Sequence, residues 1–206
     1  MQGYKTIYTE AMAELVEKKS RFIGFVAPVT CEEQALAIIS QRRALHREAT
    51  HNVFAYILRS GQVRCSDDGE PQGTAGVPVL EVLQKNAVTD ICAVVTRYFG
   101  GTMLGAGGLV RAYSSGASSA LKTAKLCFMN PCTVLHLRLD YSLYGKVSYL
   151  LPSYGVVTIE SDFGTVVSLK IMLKTGSVAA FCSELNELTA AGVSVETLEE
   201  KFADLP

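Results

Sequence analysis

The fold of the first half of the chain depends on one Gly-rich segment, which reads Arg97-Tyr98-Phe99-Gly100-Gly101-Thr102-Met103-Leu104-Gly105-Ala106-Gly107-Gly108-Leu109-Val110-Arg111. It follows a β-prone apolar run over residues 90–98 and leads into a helical pattern over residues 105–124, so it joins a buried strand to a helix. Backbone N–H groups and the helix dipole at such a junction favour an anion, and glycines let a phosphate approach closely. Arg97 and Arg111 add positive charge at the two ends. Anion binding and close helix–sheet packing account equally well for the glycines, because neither the dinucleotide fingerprint nor a P-loop is present.

An acidic turn precedes this Gly-rich segment and reads Cys65-Ser66-Asp67-Asp68-Gly69-Glu70-Pro71-Gln72-Gly73-Thr74-Ala75-Gly76. Its three carboxylates fall within four residues, where they repel one another unless they are solvated or share a cation or basic group. The functional interpretation is a Mg²⁺ site at Asp67, Asp68 and Glu70, or a partner for arginines. The structural interpretation, a solvated turn between a hairpin and a helix, is the more common outcome for such a sequence.

The remainder of the first half predicts a mixture of strands and helices. Strands are expected over residues 4–17 and 21–29, and a hairpin over residues 52–58 and 62–65. The capping box Thr30-x-x-Glu33 predicts a helix to about Leu45, and a second helix is expected from near Gly76. His46 and His51 are poorly spaced to bind a metal from one helix, and a metal would need a third ligand from elsewhere.

The second half has a simpler pattern. The predicted elements follow the order βαββαβ. They are a strand with strict alternation over residues 133–140, a helical stripe from Leu143 to Leu151, two strands joined at Asp162-Phe163-Gly164, a second helical stripe and a last strand. This is the order of a ferredoxin-like α+β sandwich. Asn130-Pro131 is the predicted boundary, with domains over residues 1–129 and 130–206.

Composition narrows the classes of function. Residues 1–129 carry 14 Lys/Arg and 11 Asp/Glu, a net charge of +3, whereas residues 130–206 carry 5 and 9, a net charge of −4. The first half is therefore the better candidate for contact with nucleic acid. No apolar run approaches the ~20 residues of a membrane span, and the N-terminus has no signal-peptide core, so the expected location is the cytoplasm.

Four motifs together resemble one known family, the YigZ/IMPACT family. They are Lys18-Lys19-Ser20-Arg21-Phe22-Ile23-Gly24; His51-Asn52-Val53-Phe54-Ala55-Tyr56; Ser66-Asp67-Asp68-Gly69-Glu70-Pro71 with Gly73-Thr74-Ala75-Gly76 and Pro78; and the Gly-rich segment extended to Ala112-Tyr113. The resemblance covers the first 125 or so residues closely, and the second half resembles the extra C-terminal domain of bacterial members.

The resemblance implies the fold of each half. The first half would be similar to the second domain of ribosomal protein five of the small subunit, a fold that contains a left-handed crossover against the usual rule. The second half would be similar to domain V of elongation factor G, which agrees with its βαββαβ order.

The resemblance also implies a link to translation and to the stress response. Eukaryotic members restrain the starvation-sensing kinase of an initiation factor by competing for its activator, and nucleic-acid or ribosome binding is the usual proposal for bacterial members. The expected function is a non-enzymatic regulator that binds RNA, the ribosome or a translation factor, with no cofactor, no membrane partner and no sequence-specific DNA binding. A protein–protein scaffold and a phosphotransferase or phosphohydrolase that uses the Gly-rich segment are the alternatives. The expected binding residues are Lys19, Ser20, Arg21, His51, Asn52, Ser66, Asp67, Asp68, Gly69, Glu70, Pro71, Gly73, Thr74, Gly76, Arg97, Tyr98, Gly100, Gly101, Gly105, Gly107, Gly108 and Arg111, with Lys18 as a further phosphate contact and Tyr98 as a stacking residue.

Overall fold

A computed structural model describes residues 2–205 of the 206-residue chain; the terminal Met1 and Pro206 lie outside the described residues. The secondary-structure elements are β1 (Tyr4–Ile7), β2 (Ala11–Glu17), β3 (Ser20–Pro28), α1 (Glu32–Leu45), β4 (His51–Ile57), β5 (Val63–Ser66), α2 (Gly76–Lys85), β6 (Ile91–Tyr98), α3 (Ala106–Thr123), β7 (Leu126–Leu139), α4 (Tyr141–Leu150), β8 (Val157–Phe163), β9 (Val167–Lys174), α5 (Val178–Thr189) and β10 (Ser194–Ala203). The chain divides into an N-terminal unit, Lys5–Cys127, and a C-terminal unit that runs from Phe128 onward and includes the residues up to Tyr4.

The N-terminal unit is built on an antiparallel sheet with the strand order β2-β3-β6-β4-β5. Alternate residues of the central strands face opposite sides, because successive side chains of a strand point in opposite directions. In β6, Cys92 and Val94 pack in one apolar cluster with residues of α1, whereas Ala93 and Val95 pack in another with residues of α2 and α3. The sheet is therefore buried on both faces, and β6 lies at its centre.

The connections β3-α1-β4 and β5-α2-β6 are both crossovers between parallel strands that skip one strand. Strands β3 and β4 are each antiparallel to β6, and β5 and β6 are each antiparallel to β4. The two crossovers run in opposite directions across the sheet, their strands point in opposite directions, and their helices cover opposite faces. The hand of a crossover depends on its direction across the sheet, on the direction of its strands and on the face that its helix covers. All three differ between the two crossovers, so the crossovers have opposite hands and one of them is left-handed. This confirms the fold expected from the resemblance and departs from the rule that such connections are right-handed in about 98% of cases.

The C-terminal unit has the predicted order βαββαβ. Among strands β7 to β10 the order is β10-β7-β9-β8, with every neighbouring pair antiparallel, as in ferredoxin-like folds. Leu135, Leu137 and Leu139 of β7 pack in the core with apolar residues of α4 and α5.

Several boundaries differ from the expectations. The strand expected over residues 4–17 is broken at Tyr8–Glu10 into β1 and β2. Strand β7 runs through Asn130-Pro131 without interruption, and the two units meet between Cys127 and Phe128. The helix α1 does not use Thr30 as its cap: Cys31 is the N-cap residue, and the backbone N–H of Thr30 instead donates to Oε1 of Gln34 at 2.8 Å. Among residues 2–205, no helix is long and apolar enough to cross a bilayer.

Candidate functional site

The Gly-rich segment joins β6 to α3 and lies against the β2–β3 turn. A Cβ atom at Gly100 would come within 2.0 Å of the backbone carbonyl group of Lys19, so only glycine allows this approach. The backbone N–H of Gly100 donates to the Ser20 hydroxyl at 3.2 Å. Gly105 has a φ of +73° and is the N-cap residue of α3, where no side chain caps the helix. The first backbone N–H groups of α3 are thus open, since the first bond within the helix comes from Leu109 to the Gly105 carbonyl oxygen.

The acidic turn sends its carboxylates in three different directions. Asp67 accepts hydrogen bonds from the backbone N–H groups of Gly73, Ala75 and Gly76, at 2.9, 3.1 and 2.8 Å. Burial raises the pKa of Asp67, but these three bonds outweigh it, and the pKa lies below its ordinary value. Asp67 therefore holds the turn and the start of α2 together.

Asp68 and Glu70 bind other parts of the unit. Asp68 pairs with Arg43 of α1 at 2.5 Å and accepts the backbone N–H of Asn52 at 2.7 Å. Its φ is +46°, and its carbonyl oxygen accepts a hydrogen bond from Nδ1 of His51 at 2.8 Å. The carboxylates of Asp67, Asp68 and Glu70 do not converge, and no group of three His, Cys, Asp or Glu side chains within residues 2–205 is placed to hold a metal ion. Asp68 and Glu70 instead pair with Arg43 and Arg97, as in the interpretation of the acidic turn as a partner for arginines, and this geometry gives no support to a shared Mg²⁺.

Glu70 is the centre of a buried polar cluster. Its Oε1 atom accepts hydrogen bonds from Nη1 of Arg97 at 2.6 Å and from the Tyr113 hydroxyl at 2.7 Å. Arg97 is only 6% exposed, and its guanidinium lies between the rings of Phe22 and Phe99, 5.5 and 5.4 Å from their centroids. Burial, aided by the Glu70 carboxylate, raises the pKa of Tyr113, so its hydroxyl stays protonated and donates. The acidic turn and the Gly-rich segment are thus joined through this ion pair.

A cavity of about 270 Å³ opens beside the cluster, and we call it the α3 pocket. Its apolar walls include Phe99 and Met103, and Gly105 and Ala106 of the α3 N-terminus lie at its side. The polar lining residues are Thr50, His51, Glu70 and Arg97, and the other apolar ones are Pro71, Leu104 and Leu109. A second cavity of about 230 Å³, the α3 groove, lies between the β2–β3 turn and α3 and is lined by Glu17, Lys18 and Arg111 among others. Leu104 lines both cavities.

The remaining expected site residues fall in different places. Ser66 accepts the N–H of Asp68 at 3.2 Å, and Thr74 donates to the Pro71 carbonyl oxygen at 2.6 Å, so both stabilise the turn. The side-chain oxygen of Asn52 accepts a hydrogen bond from the Thr96 hydroxyl at 2.8 Å within the buried sheet. Gly69, Gly73 and Gly101 have positive φ angles, and Gly76 touches the backbone of Ser66 closely. Gly107 and Gly108 lie in the first turn of α3.

Arg21 and Tyr98 lie away from the α3 pocket. Arg21 forms a bidentate pair with Glu14 at 2.6 and 2.8 Å and stands over the Tyr98 ring. The Tyr98 hydroxyl is 2.9 Å from Nδ1 of His46 on the α1 face of the sheet, opposite to the face of Arg97. His46 also receives a hydrogen bond from Arg42 at 2.7 Å, and burial together with Arg42 and Arg21 lowers its pKa.

Several residues that build the site lie outside the set predicted from the sequence. Tyr113 follows Leu109 by one helical turn on the buried face of α3, and this spacing was the available signal. Phe99 and Met103 line the α3 pocket although they are 50% and 86% exposed. The role of Arg43 depends on where the end of α1 meets the acidic turn, and no local pattern indicates it.

Comparison with known proteins assigns both units. The Impact N-terminal domain matches residues 18–121, and the Domain of unknown function (DUF1949) matches residues 137–191. The chain is 37% identical to IMPACT family member YvyE of Bacillus subtilis over 191 residues, which cover 92% of this chain and 88% of that protein. It is also 37% identical to IMPACT family member YigZ of Escherichia coli over 187 residues, covering 89% and 92% of the two chains.

Two further comparisons extend this result. Protein IMPACT homolog of Dictyostelium discoideum is 39% identical over 106 residues, which cover 48% of this chain and 30% of that protein. A crystal structure of a hypothetical protein superimposes with a TM-score of 0.64 at 34% identity, covering 98% of this chain and 100% of the other. The domain matches, the full-length similarity and the shared fold show that the chain belongs to the IMPACT family.

Proposed function

We propose that this chain is a non-enzymatic regulator of translation whose N-terminal unit binds RNA, alone or on the ribosome, across the N-terminus of α3. The observation that carries the proposal is the position of Lys18, Lys19 and Arg111 around that open helix end. None of the three forms an ion pair within the described chain, although Glu17 also lines the α3 groove. Unpaired cations beside free N–H groups at a helix N-terminus are suited to phosphate oxygens.

The backbone of the β2–β3 turn supports a role for its lysines. Lys18 and Lys19 have φ angles of +45° and +66°, the left-handed conformation that a two-residue type I′ hairpin requires. Asn-Gly is the favoured sequence there, and a left-handed non-glycine residue costs roughly 1–2 kcal/mol. Lysines at both positions raise the conformational energy of the turn, whose backbone at Lys19 packs against Gly100. Lys18 also lines the α3 groove.

The N-terminal unit suits RNA better than the C-terminal unit does. The C-terminal sheet has a polar cavity of about 210 Å³, but its lining mixes Lys170 and His136 with Glu160 and Asp162. Residues 130–206 also have a net charge of −4, from 5 Lys/Arg and 9 Asp/Glu. Phosphate contacts are therefore assigned to the N-terminal unit.

A salt series with a short single-stranded RNA tests the proposal directly. Fluorescence anisotropy of a labelled RNA is measured from low to moderate salt for the unmodified chain and for Lys18→Gln/Lys19→Gln and Arg111→Gln. Affinity should fall steeply with salt, and each lost phosphate contact should reduce the slope of log K against log salt by about 0.7. Lys122→Gln, on an exposed position of the last turn of α3, is the matched control and should behave like the unmodified chain.

Co-sedimentation with ribosomes over the same salt series gives a second measurement. Absence of binding to RNA and to ribosomes at low salt contradicts the proposal, as does equal loss of binding in the Lys122→Gln control. The phosphotransferase alternative has less support, because the carboxylates it needs for a metal are held apart by Arg43, Arg97 and backbone N–H groups.

A protein scaffold is the second candidate function. Phe99 and Met103 present exposed apolar surface at the mouth of the α3 pocket, and such residues suit the centre of a protein interface. Recovery of one defined protein that survives nuclease treatment and is lost in Phe99→Ala/Met103→Ala would favour this candidate over RNA.

A further inference from the structure

The α3 pocket contains a buried carboxylate oxygen without a partner. All the donors of the Glu70 cluster reach Oε1: Nη1 of Arg97 and the Tyr113 hydroxyl bond to it, and Nε2 of His51 lies 3.7 Å away. Within residues 2–205, no donor reaches Oε2, yet Oε2 is not among the side-chain atoms that are both sealed from solvent and unpaired. Because the Glu70 side chain is only 3% exposed and lines the α3 pocket, the accessible surface of Oε2 is directed into that pocket.

His51 supplies a second acceptor next to this oxygen. The Asp68 carbonyl oxygen can only accept, so the 2.8 Å contact fixes the hydrogen of the imidazole on Nδ1. In the neutral ring, Nε2 then carries a lone pair. His51 and Glu70 both line the pocket, and Nε2 of His51 lies 3.7 Å from the carboxylate atom bonded to the same carbon as Oε2, so the pocket is lined by two acceptors that call for two adjacent donors on a ligand.

The rest of the pocket suits a flat aromatic ring. Phe99 and Pro71 provide faces on which a ring can stack, and the Arg97 guanidinium lies against the Phe99 ring. The volume of about 270 Å³ is at the lower end of pockets that take drug-sized ligands, ~300–1,000 Å³. A single base fits such a space, and its sugar and phosphate would remain outside the pocket.

We infer that the α3 pocket binds an unpaired guanine of RNA through the Watson–Crick edge of the base. Guanine has the N1–H and N2–H₂ donors next to each other, and these match Nε2 of His51 and Oε2 of Glu70. The adjacent O6 acceptor finds donors in the N–H groups of the first turn of α3, where Ala106 lines the pocket. Recognition of splayed bases by hydrogen bonds on this edge together with aromatic stacking is the usual way in which proteins read single-stranded RNA.

The other bases match this pair of acceptors less well. Adenine and cytosine each place one amino donor beside a ring nitrogen acceptor, which would face a second acceptor in the pocket. Uracil has a single N3–H donor between two carbonyl oxygens. The inference rests on the proposed RNA binding and adds a base preference to it.

A single tryptophan at the mouth of the pocket provides the test. The chain contains no Trp, so Phe99→Trp gives one fluorescent reporter on which a base can stack. GMP should quench its emission with an affinity about tenfold or more above those of AMP, CMP and UMP, the range of discrimination that paired hydrogen bonds to a base provide. Inorganic phosphate should not quench. Saturation-transfer NMR of the unmodified chain with the same four nucleotides should give the same order and does not depend on the substitution.

Matched histidine variants identify the acceptor. His51→Ala should reduce GMP affinity several-fold toward that of AMP, whereas His46→Ala, on the α1 face of the sheet, should leave the preference unchanged. Equal affinity for all four nucleotides, no binding of any, or displacement of GMP by inorganic phosphate alone would overturn the inference. If RNA binding keeps its salt dependence and its need for Lys18, Lys19 and Arg111 but the protein shows no preference for guanine, only this inference fails. If RNA binding and the guanine preference are both absent, the proposed function fails as well.

Discussion

Removal of the Glu70 carboxylate should strongly lower the free energy of unfolding of the N-terminal unit, because it leaves the Arg97 charge buried without its counterion. Arg97 is 6% exposed, its Nε atom has no partner within the described residues, and its charge is balanced by Glu70 alone. Breaking a buried ion pair from one side costs about 3–5 kcal/mol, because the remaining charge stays buried. The free energy of unfolding of a domain is typically only 5–15 kcal/mol, so Glu70→Ala should remove a large part of it.

Urea unfolding followed by circular dichroism measures this change. With a slope of about 1–3 kcal/mol per molar urea, a loss of about 4 kcal/mol shifts the midpoint by roughly 2 M. Glu14→Ala is the matched control, since Glu14 pairs with Arg21 at the surface, where the two side chains are 44% and 50% exposed. Such a pair contributes about 0–1 kcal/mol.

The double variant Glu70→Leu/Arg97→Leu separates charge burial from packing. Apolar replacement of both partners of a buried pair is often neutral, so the double variant should be more stable than Glu70→Ala alone. A loss below about 1 kcal/mol for Glu70→Ala would refute the reasoning, because it falls within the range of surface pairs. A double variant whose loss equals the sum of the single losses would refute it as well.

Two further predictions concern the turns on either side of the site. Asp67→Ala leaves three backbone N–H groups without an acceptor and should lower the free energy of unfolding by about 2–4 kcal/mol in urea melts, since a lost bond to a charged group costs roughly 1.5–3 kcal/mol. The pKa of Asp67 in the folded chain lies below its ordinary value of 3.8, so the stabilisation that Asp67 provides is present above that pH and is lost as the pH falls through the folded pKa. On acidification, the free energy of unfolding of Asp67→Ala should therefore decrease less than that of the unmodified chain. Lys18→Asn/Lys19→Gly should raise the thermal midpoint by relieving a turn cost of roughly 1–2 kcal/mol per residue, and should weaken RNA binding at the same time. A variant that gains stability and keeps full RNA affinity would contradict the phosphate-binding role proposed for these lysines.

The sequence predicted the elements of the fold better than their boundaries. Alternating Leu135, Leu137 and Leu139 indicated a half-buried strand because period-two burial follows directly from strand geometry. The extent of β7 could not be predicted, since β10 pairs with it on both sides of Pro131, and that pairing comes from the far end of the chain. The capping box at Thr30 failed because Gln34, one residue beyond Glu33, supplied the acceptor for the Thr30 N–H.

The site was predicted as a set of residues but not as a geometry. Local sequence showed that Asp67, Asp68 and Glu70 are crowded, and crowding alone left a solvated turn, a shared cation and pairing with arginines as alternatives. The structure separates them because their partners, Arg43, Arg97 and the N–H groups at the start of α2, come from three different elements. The placement of Tyr98 and Arg97 on opposite faces does follow from strand alternation, and the pairing of Glu70 with Arg97 and Tyr113 needed the tertiary fold.

The strand order of the N-terminal unit has a consequence for its synthesis. Hairpin β2–β3 and hairpin β4–β5 have no direct pairing with each other, and β6, the last strand of this sheet to leave the ribosome, lies between them. Until residues 91–98 emerge, the nascent chain holds two separate ribbons with unpaired inner edges, and unpaired edges are prone to wrong association. Insertion of β6 closes both edges in one step. The sheet therefore cannot form before Tyr98, the last residue of β6, has left the ribosome.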